Sequence, residues 1–330
     1  MVDPVIEVIQ LRKTFKQKVA VDDVSFSVPM GTVFCLLGPN GAGKTTTINC
    51  VTTLLRPDGG RVVVAGHDVV TEPAEVRRSI ALTGQFAALD DELTGWQNLV
   101  LFGRLLRLGK ASARVRANEL LARFDLEAAA DQRVKSYSGG MRRRLDLAAS
   151  LTVERPVLVL DEPTTGLDPR SRQEMWGIVR DLRASGVTIL LTTQYLEEVD
   201  KLGDQIVVID SGRVIATGTP DELKTRIGRA VCEVGIEDET VRVMAFQALA
   251  AAFDGVVEAE DTIAVPAATA RTLTEVVRII DGVGLEPDSV GLRQPSLDDV
   301  FLALTGDAAT AGSAERKAAR GAVGQHGETA

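Results

Sequence analysis

Apolar and β-branched residues fall into short runs near the start of the chain: Val5-Ile6-Glu7-Val8-Ile9, then Val24-Ser25-Phe26-Ser27-Val28, then Val33-Phe34-Cys35-Leu36-Leu37 after the turn-forming Pro29-Met30-Gly31. This spacing predicts successive strands. The third run is wholly apolar, as a strand covered on both faces should be. It passes into the glycine-rich segment Gly38 to Thr45, after which Thr46, Thr47 and Ile48 open a helix. Pro57-Asp58-Gly59-Gly60 and a short strand from Arg61 to Ala65 follow. From about Gln85 to Leu151 the period changes: Leu99, Leu101, Phe102, Leu105, Leu106 and Leu108, then Leu120, Leu121 and Phe124, recur at helical spacing and predict a mostly helical insert. Past it, Pro156 to Leu160 reads as a second buried strand, Arg172 to Leu182 as an amphipathic helix, and Val187 to Thr192 and Ile206 to Ile209 as further strands. Strand, helix, strand in that order means a parallel sheet.

The character changes near Thr225 to Arg229. Beyond it the order is strand (Val231 to Ile236), helix (Val241 to Phe253), strands (Val256 to Glu258, Ile263 to Val265), helix (Arg271 to Asp281) and strand (Ser289 to Arg293), which predicts a small α+β domain of ferredoxin-like type. Residues 230–306 hold fourteen Asp/Glu against four Lys/Arg, so this domain carries the negative excess of the chain. Residues 307–330 lack periodic apolar positions and read as a disordered tail. The expected domains are therefore 1–225, with a helical part at about 86–151, and 230–306.

Composition narrows the function classes. With 330 residues, 45% apolar and 25% charged, the chain has material for two compact domains. Its longest apolar runs fall far short of the roughly 20 residues that span hydrocarbon as a helix. Met1-Val2-Asp3-Pro4-Val5 is not a secretory start, so the chain is expected in the cytoplasm. Cys35, Cys50 and Cys232 stand far apart among apolar neighbours and read as small core residues, and two histidines, His67 and His326, do not build a metal site. A net charge of −9 has the wrong sign for a protein that coats nucleic acid.

Three motifs carry chemistry. Gly38-Pro39-Asn40-Gly41-Ala42-Gly43-Lys44-Thr45 fits G-x-x-x-x-G-K-[ST] between a buried strand and a helix. Its glycines let backbone N–H groups converge on phosphate oxygens, Lys44 brings a point charge to the outer phosphates, and Thr45 offers a hydroxyl to Mg²⁺. Val157 to Leu160 ends in Asp161-Glu162, two acids at a strand's carboxyl edge, beside the phosphate loop if the two strands are adjacent. Asp161 suits Mg²⁺ and Glu162 suits accepting a proton from attacking water. Tyr137-Ser138-Gly139-Gly140-Met141 precedes Arg142-Arg143-Arg144 at a helix start. Cations there oppose the helix dipole unless an anion docks, so this reads as a second phosphate grip, with a solvated basic face as the alternative for the arginines.

With these motifs in this order, residues 5–225 resemble the ATP-binding subunits of ABC transporters, and more narrowly the daunorubicin/doxorubicin-resistance type of multidrug and lipid exporters. Leu292 to Gly306 is similar to that subgroup's C-terminal region. The resemblance implies an α/β P-loop NTPase with a mixed sheet, an N-terminal antiparallel part and a helical insert. It places the adenine-stacking aromatic at Phe15, the Walker A motif at Gly38 to Thr46, the Q-loop glutamine, also a metal ligand, at Gln85 and the signature at Tyr137 to Met141. Walker B falls on Val157 to Asp161 with the base at Glu162, and the D-loop on Gly166-Leu167-Asp168. It further implies a head-to-tail dimer with ATP between one copy's Walker A and its partner's Ser138, Gly139 and Gly140, and a separate integral membrane permease that would hold the protein peripherally at the cytoplasmic face of the membrane.

Bland alternatives stand beside some of these: strand packing for Phe15, a surface loop for Gln85, helix capping for Asp168. The family usually has histidine where this chain has Gln194, and a glutamine amide donates and accepts but does not titrate. Slow hydrolysis is the expectation that follows, with Lys44, Glu162 and Gln194 as the catalytic set. A different class, a soluble ABC-type ATPase acting as a nucleotide-dependent clamp or regulator, usually carries two cassettes or a long coiled-coil insert, and this chain has neither.

Overall fold

The structure, a computed structural model, describes residues 4–84, 89–227, 230–258, 261–267, 270–293, 296–297 and 300–301. The chain divides into two compact units, Met1–Pro220 and Asp221–Ala330.

The first unit opens with β1 (Pro4–Phe15) and β2 (Lys18–Pro29), longer than their apolar runs because the antiparallel pair continues through register shifts into polar residues. β3 (Val33–Leu37) is buried at all five positions and leads into α1, which starts at Lys44 rather than Thr46 (Lys44–Val51). β4 (Gly59–Val64) and β5 (His67–Asp68) complete an antiparallel sheet in the order β2-β1-β4-β5. Then come α2 (Pro73–Ser79) and β6 (Ile80–Thr83), a four-residue strand that the periodicity hides because it begins where the helix stops.

The helical insert is α3 (Gly95–Leu105), α4 (Lys110–Arg123) and α5 (Gly139–Ser150). Thr94 and Gln97 close a capping box at the start of α3, and Ser138 caps α5 by accepting the Met141 N–H at 3.2 Å. Of the helical stripe read from sequence, Leu99, Leu120, Leu121 and Phe124 are buried and form the core of this part with Leu145, whereas Leu101, Leu105 and Leu106 are exposed, so only part of the stripe is core.

β7 (Val157–Asp161), α6 (Pro169–Ala184), β8 (Thr188–Thr193), α7 (Leu196–Leu202), β9 (Gln205–Asp210) and β10 (Arg213–Gly218) follow. The second sheet runs β10-β9-β3-β8-β7-β6, parallel from β9 to β6 with β10 antiparallel at its edge. β10 was not evident in the apolar pattern. Its signal is Ser211-Gly212, both at positive φ (49° and 79°), which is the two-residue hairpin turn that matches strand twist. The strand that leads into the phosphate loop, β3, and the strand that ends in Asp161-Glu162, β7, do not meet the condition of adjacency: β8 lies between them. The Phe26 and Phe34 rings stack 5.3 Å apart and join the two sheets in one core.

α8 (Pro220–Ile227) precedes the second unit's fold: β11 (Val231–Gly235), α9 (Glu239–Ala250), β12 (Val257–Glu258), β13 (Thr262–Pro266), α10 (Ala270–Gly282) and β14 (Ser289–Arg293). Its sheet order, β12-β13-β11-β14 with every pair antiparallel, is that of a ferredoxin-like βαββαβ unit. Cys232, Val234, Leu249, Ile263, Val276 and Ile280 form its core. All three cysteines are buried. The expected tail at 307–330 lies outside the described residues. Among the described residues no helix is long and apolar enough to cross a membrane.

Candidate functional site

The carboxyl ends of the parallel strands bring four elements together. β3 delivers the loop Gly38 to Gly43, and the Gly38 N–H is held by Thr193 O at 3.3 Å at the end of β8. A Cβ at Gly38 would stand 2.1 Å from Ile209 O, and Gly43 has φ +107° with Ala20 O 2.7 Å from where its Cβ would be. Only glycine leaves this loop close enough to the strands for its amides to form a phosphate cradle. Asn40 and Gly41 are exposed at its rim, while Pro39 and Ala42 close a turn through a 3.2 Å hydrogen bond.

Lys44 is 4% exposed and donates to Gly38 O (2.8 Å) and Pro39 O (3.1 Å), so the ammonium is folded over the loop. It lies 3.5 Å from Glu162 Oε1. Thr45 Oγ1 donates to Asp161 Oδ1 at 3.4 Å. Hydroxyl and carboxylate are hard oxygen donors, the set that Mg²⁺ prefers. Thr46 is half-buried in the first turn of α1.

Because β8 intervenes, its Thr192 fills the space between the two motifs. Thr192 is fully buried; its Oγ1 donates to Asp161 Oδ1 at 2.5 Å and accepts the Glu162 N–H at 3.0 Å. Glu162 adopts φ +50°, a left-handed backbone that a side-chain-bearing residue takes at a cost. Gln194 is half-buried just past the end of β8, between the phosphate loop's strand and that of the acid pair. Gln85 lies outside the described residues.

Phe15 is 45% exposed, which removes the strand-packing alternative and leaves an open aromatic face, with the Lys13 ammonium 5.7 Å from the ring centre. Asp168 does cap α6: it accepts the Ser171 N–H at 2.9 Å and the Ser171 hydroxyl at 2.7 Å. These bonds hold its carboxyl below the usual range.

Ser138 and Gly139 are exposed at the start of α5, and a Cβ on buried Gly140 would meet Ser171 Oγ at 2.5 Å. Among the described residues, Ser138 turns its hydroxyl to the Met141 N–H of its own helix and not to Lys44, Thr45, Asp161 or Glu162. Tyr137 is buried, with its hydroxyl donating to Ala129 O at 2.6 Å.

The three arginines after the signature differ from the expected anion grip, because the fold engages each within the chain. Arg142 pairs with Asp91 at 2.5 Å and Arg144 donates to Phe124 O at 3.3 Å. Arg143 turns inward and bonds the carbonyls of Gly84, Asp161, Glu162 and Pro163. From sequence, Thr192 reads only as a strand end and Arg143 only as one of three basic residues at a helix start, since the role of each depends on strand order or backbone contacts. The i,i+3 spacing of Arg143 and Asp146, 3.6 Å apart, was the available hint.

Glu198, on α7 four residues after Gln194, is fully buried and accepts the Trp176 indole N–H at 3.2 Å. Burial pushes its carboxyl pKa up, with hydrogen bonding opposing.

Comparison with known proteins agrees with this geometry. The ABC transporter family matches residues 21–165. The chain is 54% identical to a daunorubicin resistance ATP-binding protein of Streptomyces coeruleorubidus, over 90% of this chain and 93% of that one. It is 52% identical to a doxorubicin resistance ATP-binding protein of Mycobacterium tuberculosis, over 90% and 92%. A Nod factor export ATP-binding protein of Ralstonia nicotianae is 42% identical over 92% and 94%. Among solved structures, an ATP-binding subunit of an ABC transporter superposes with a TM-score of 0.60 at 31% identity, covering 67% of this chain and 92% of the other. An ATP-binding cassette in its ADP conformation gives 0.59 at 28% identity, covering 66% and 92%.

Proposed function

The chain belongs to the ATP-binding subunits of ABC transporters, in the branch of the daunorubicin and doxorubicin resistance proteins, and on that premise we propose that it hydrolyses ATP·Mg²⁺ at the Lys44, Thr45, Asp161 and Glu162 cluster to energise export of drugs or lipids through a separate membrane permease. The observation that carries this is the convergence of the four side chains, with Lys44 3.5 Å from Glu162 and Thr45 3.4 Å from Asp161. An ammonium, a hydroxyl–carboxylate pair and a carboxylate base on one strand edge are what phosphoryl transfer to water requires, since that reaction needs positioning and charge stabilisation more than covalent help.

Glycine amides and Lys44 would bind the phosphates, Phe15 would stack on adenine, and Glu162 would take the proton of the water that attacks the γ-phosphorus as the bond to ADP breaks. Thr45 and Asp161, with Gln85, would hold Mg²⁺, which would supply a counter-charge to the phosphates. Gln194 would orient the water or γ-phosphate without carrying charge. Ser138 and Gly139, exposed at a helix start, support the reading that they serve ATP bound by a second copy in a head-to-tail dimer. The second copy and the permease would place the chain at the cytoplasmic face of the membrane; no nucleic acid partner is proposed.

Replacing Glu162 with Gln tests the reading: ATP binding should persist and steady-state turnover, measured with the permease, should be lost. Unchanged turnover would remove Glu162 from the base role.

A further inference from the structure

The turn that carries Glu162 is held from both sides. Its N–H is taken by Thr192, through the backbone oxygen at 3.1 Å and the hydroxyl at 3.0 Å. Its carbonyl, and those of the residues on either side, are taken by one side chain that reaches in from another helix. Arg143 Nη2 donates to Asp161 O and Glu162 O, each at 3.2 Å, and Nε donates to Pro163 O at 2.8 Å. Nη1 reaches Gly84 O at 2.7 Å, the residue that follows β6 and precedes Gln85.

The side chain is 11% exposed, with Asp146, 9% exposed, 3.6 Å away as its counter-charge. Burial lowers the guanidinium pKa while Asp146 and Asp161 oppose it. A buried cation spent on four backbone carbonyls is a structure with a purpose, because the segment it grips contains a residue at φ +50° that would otherwise relax. A planar fork with five donors on three nitrogens can meet four carbonyls from two segments at once; an ammonium, with three donors on one atom, has too few to meet all four.

We infer that Arg143 is a positioning residue for Glu162: by binding the Asp161-Glu162-Pro163 carbonyls it fixes the left-handed turn that stands the Glu162 carboxylate beside Lys44. The inference rests on the proposed base role of Glu162. Arg143 touches no reacting atom; it acts by keeping the base in place, and it ties that turn to the strand end that leads into Gln85.

The test uses the full-length chain with its permease and compares Arg143→Lys and Arg143→Met. In both, kcat should fall by about tenfold or more while KM for ATP stays within about threefold, since a displaced base affects the transition state and leaves ground-state binding alone. The Lys variant keeps the charge and should destabilise less than Arg143→Met; with both variants assayed below their thermal midpoints, the lost rate is then attributable to the lost fork rather than to unfolding. Added to Glu162→Gln, Arg143→Lys should lower the residual single-turnover rate no further, because the group it positions is already disabled. Full kcat in both variants overturns the inference. So does a loss of ATP affinity and thermal midpoint that is equal with and without Glu162→Gln, which would make Arg143 a packing residue. If Glu162→Gln by itself keeps turnover, the base role has failed instead, and that result is read without any Arg143 variant.

Discussion

Thr192 Oγ1 donates to Asp161 Oδ1 at 2.5 Å and, with the same oxygen, accepts the Glu162 N–H at 3.0 Å. One hydroxyl in β8 thus orients the carboxylate expected to hold Mg²⁺ and the backbone of the expected base.

Replacing Thr192 with Val removes that hydroxyl with little change of shape. The buried Asp161 carboxylate loses a donor, which should lower stability by about 1–3 kcal/mol and raise the Mg²⁺ concentration for half-maximal ATPase activity about tenfold. Thr192→Ser should restore both. A Mg²⁺ titration and a denaturation curve read the outcome; an unchanged Mg²⁺ requirement sinks the orienting role.

The two signature glycines should separate. A Cβ on Gly140 meets Ser171 at 2.5 Å, whereas one on Gly139 meets nothing within 4 Å. Gly140→Ala should therefore destabilise the chain by about 1–3 kcal/mol through overpacking. Gly139→Ala should leave the thermal midpoint nearly unchanged and abolish ATP-dependent dimer formation in the Glu162→Gln background, measured by size exclusion. Normal dimers with Gly139→Ala would count against nucleotide contact across the subunits.

Phe15 is a surface aromatic, so Phe15→Ala should change stability by no more than about 0.5 kcal/mol. Losing a base-stacking platform should weaken ATP binding roughly tenfold. Calorimetry with ATP and with a triphosphate lacking a base distinguishes stacking from a general effect: only the former should respond.

Glu198 gives a pH dependence. Its carboxyl pKa is raised in the folded chain by burial, so the folded state keeps that proton to higher pH than the unfolded chain does. The associated stability is fully present below the ordinary glutamate value near about 4.3 and is lost as pH rises through the folded value. Glu198→Gln does not titrate and its amide oxygen can still accept from Trp176. Its thermal midpoint should therefore gain on the parent chain as pH rises from about 5 to 8. A difference that stays constant with pH contradicts the shift.

Much of the site is legible in linear order because each motif is local. The curl of Gly38 to Thr45 depends on glycines at fixed offsets, and Asp168 caps its helix through Ser171, three residues on. Local rules also predicted the helical insert and the βαββαβ order of the second unit. They missed β6, which is four residues long and starts where a helix ends, and β10, whose apolar run Val214-Ile215-Ala216 is only three residues long and whose Ser211-Gly212 turn was the better signal. The arginines were misread for a related reason: helix-dipole arguments assume an exposed first turn, while here the neighbouring carbonyls and acids reach all three.

What the sequence determined by itself is the chemistry available: a phosphate loop, an acid pair and a serine–glycine helix start, each specified by residues close together in the chain. Tertiary structure decided how they meet. Placing β8 between β3 and β7 puts Thr192, rather than a direct strand contact, between Walker A and Walker B. Folding α5 over the ends of β6 and β7 turns Arg143 from a surface cation into the holder of the turn at Glu162. Strand order and backbone carbonyls leave no periodic mark on side-chain type, so neither role is visible until distant segments of the chain are side by side.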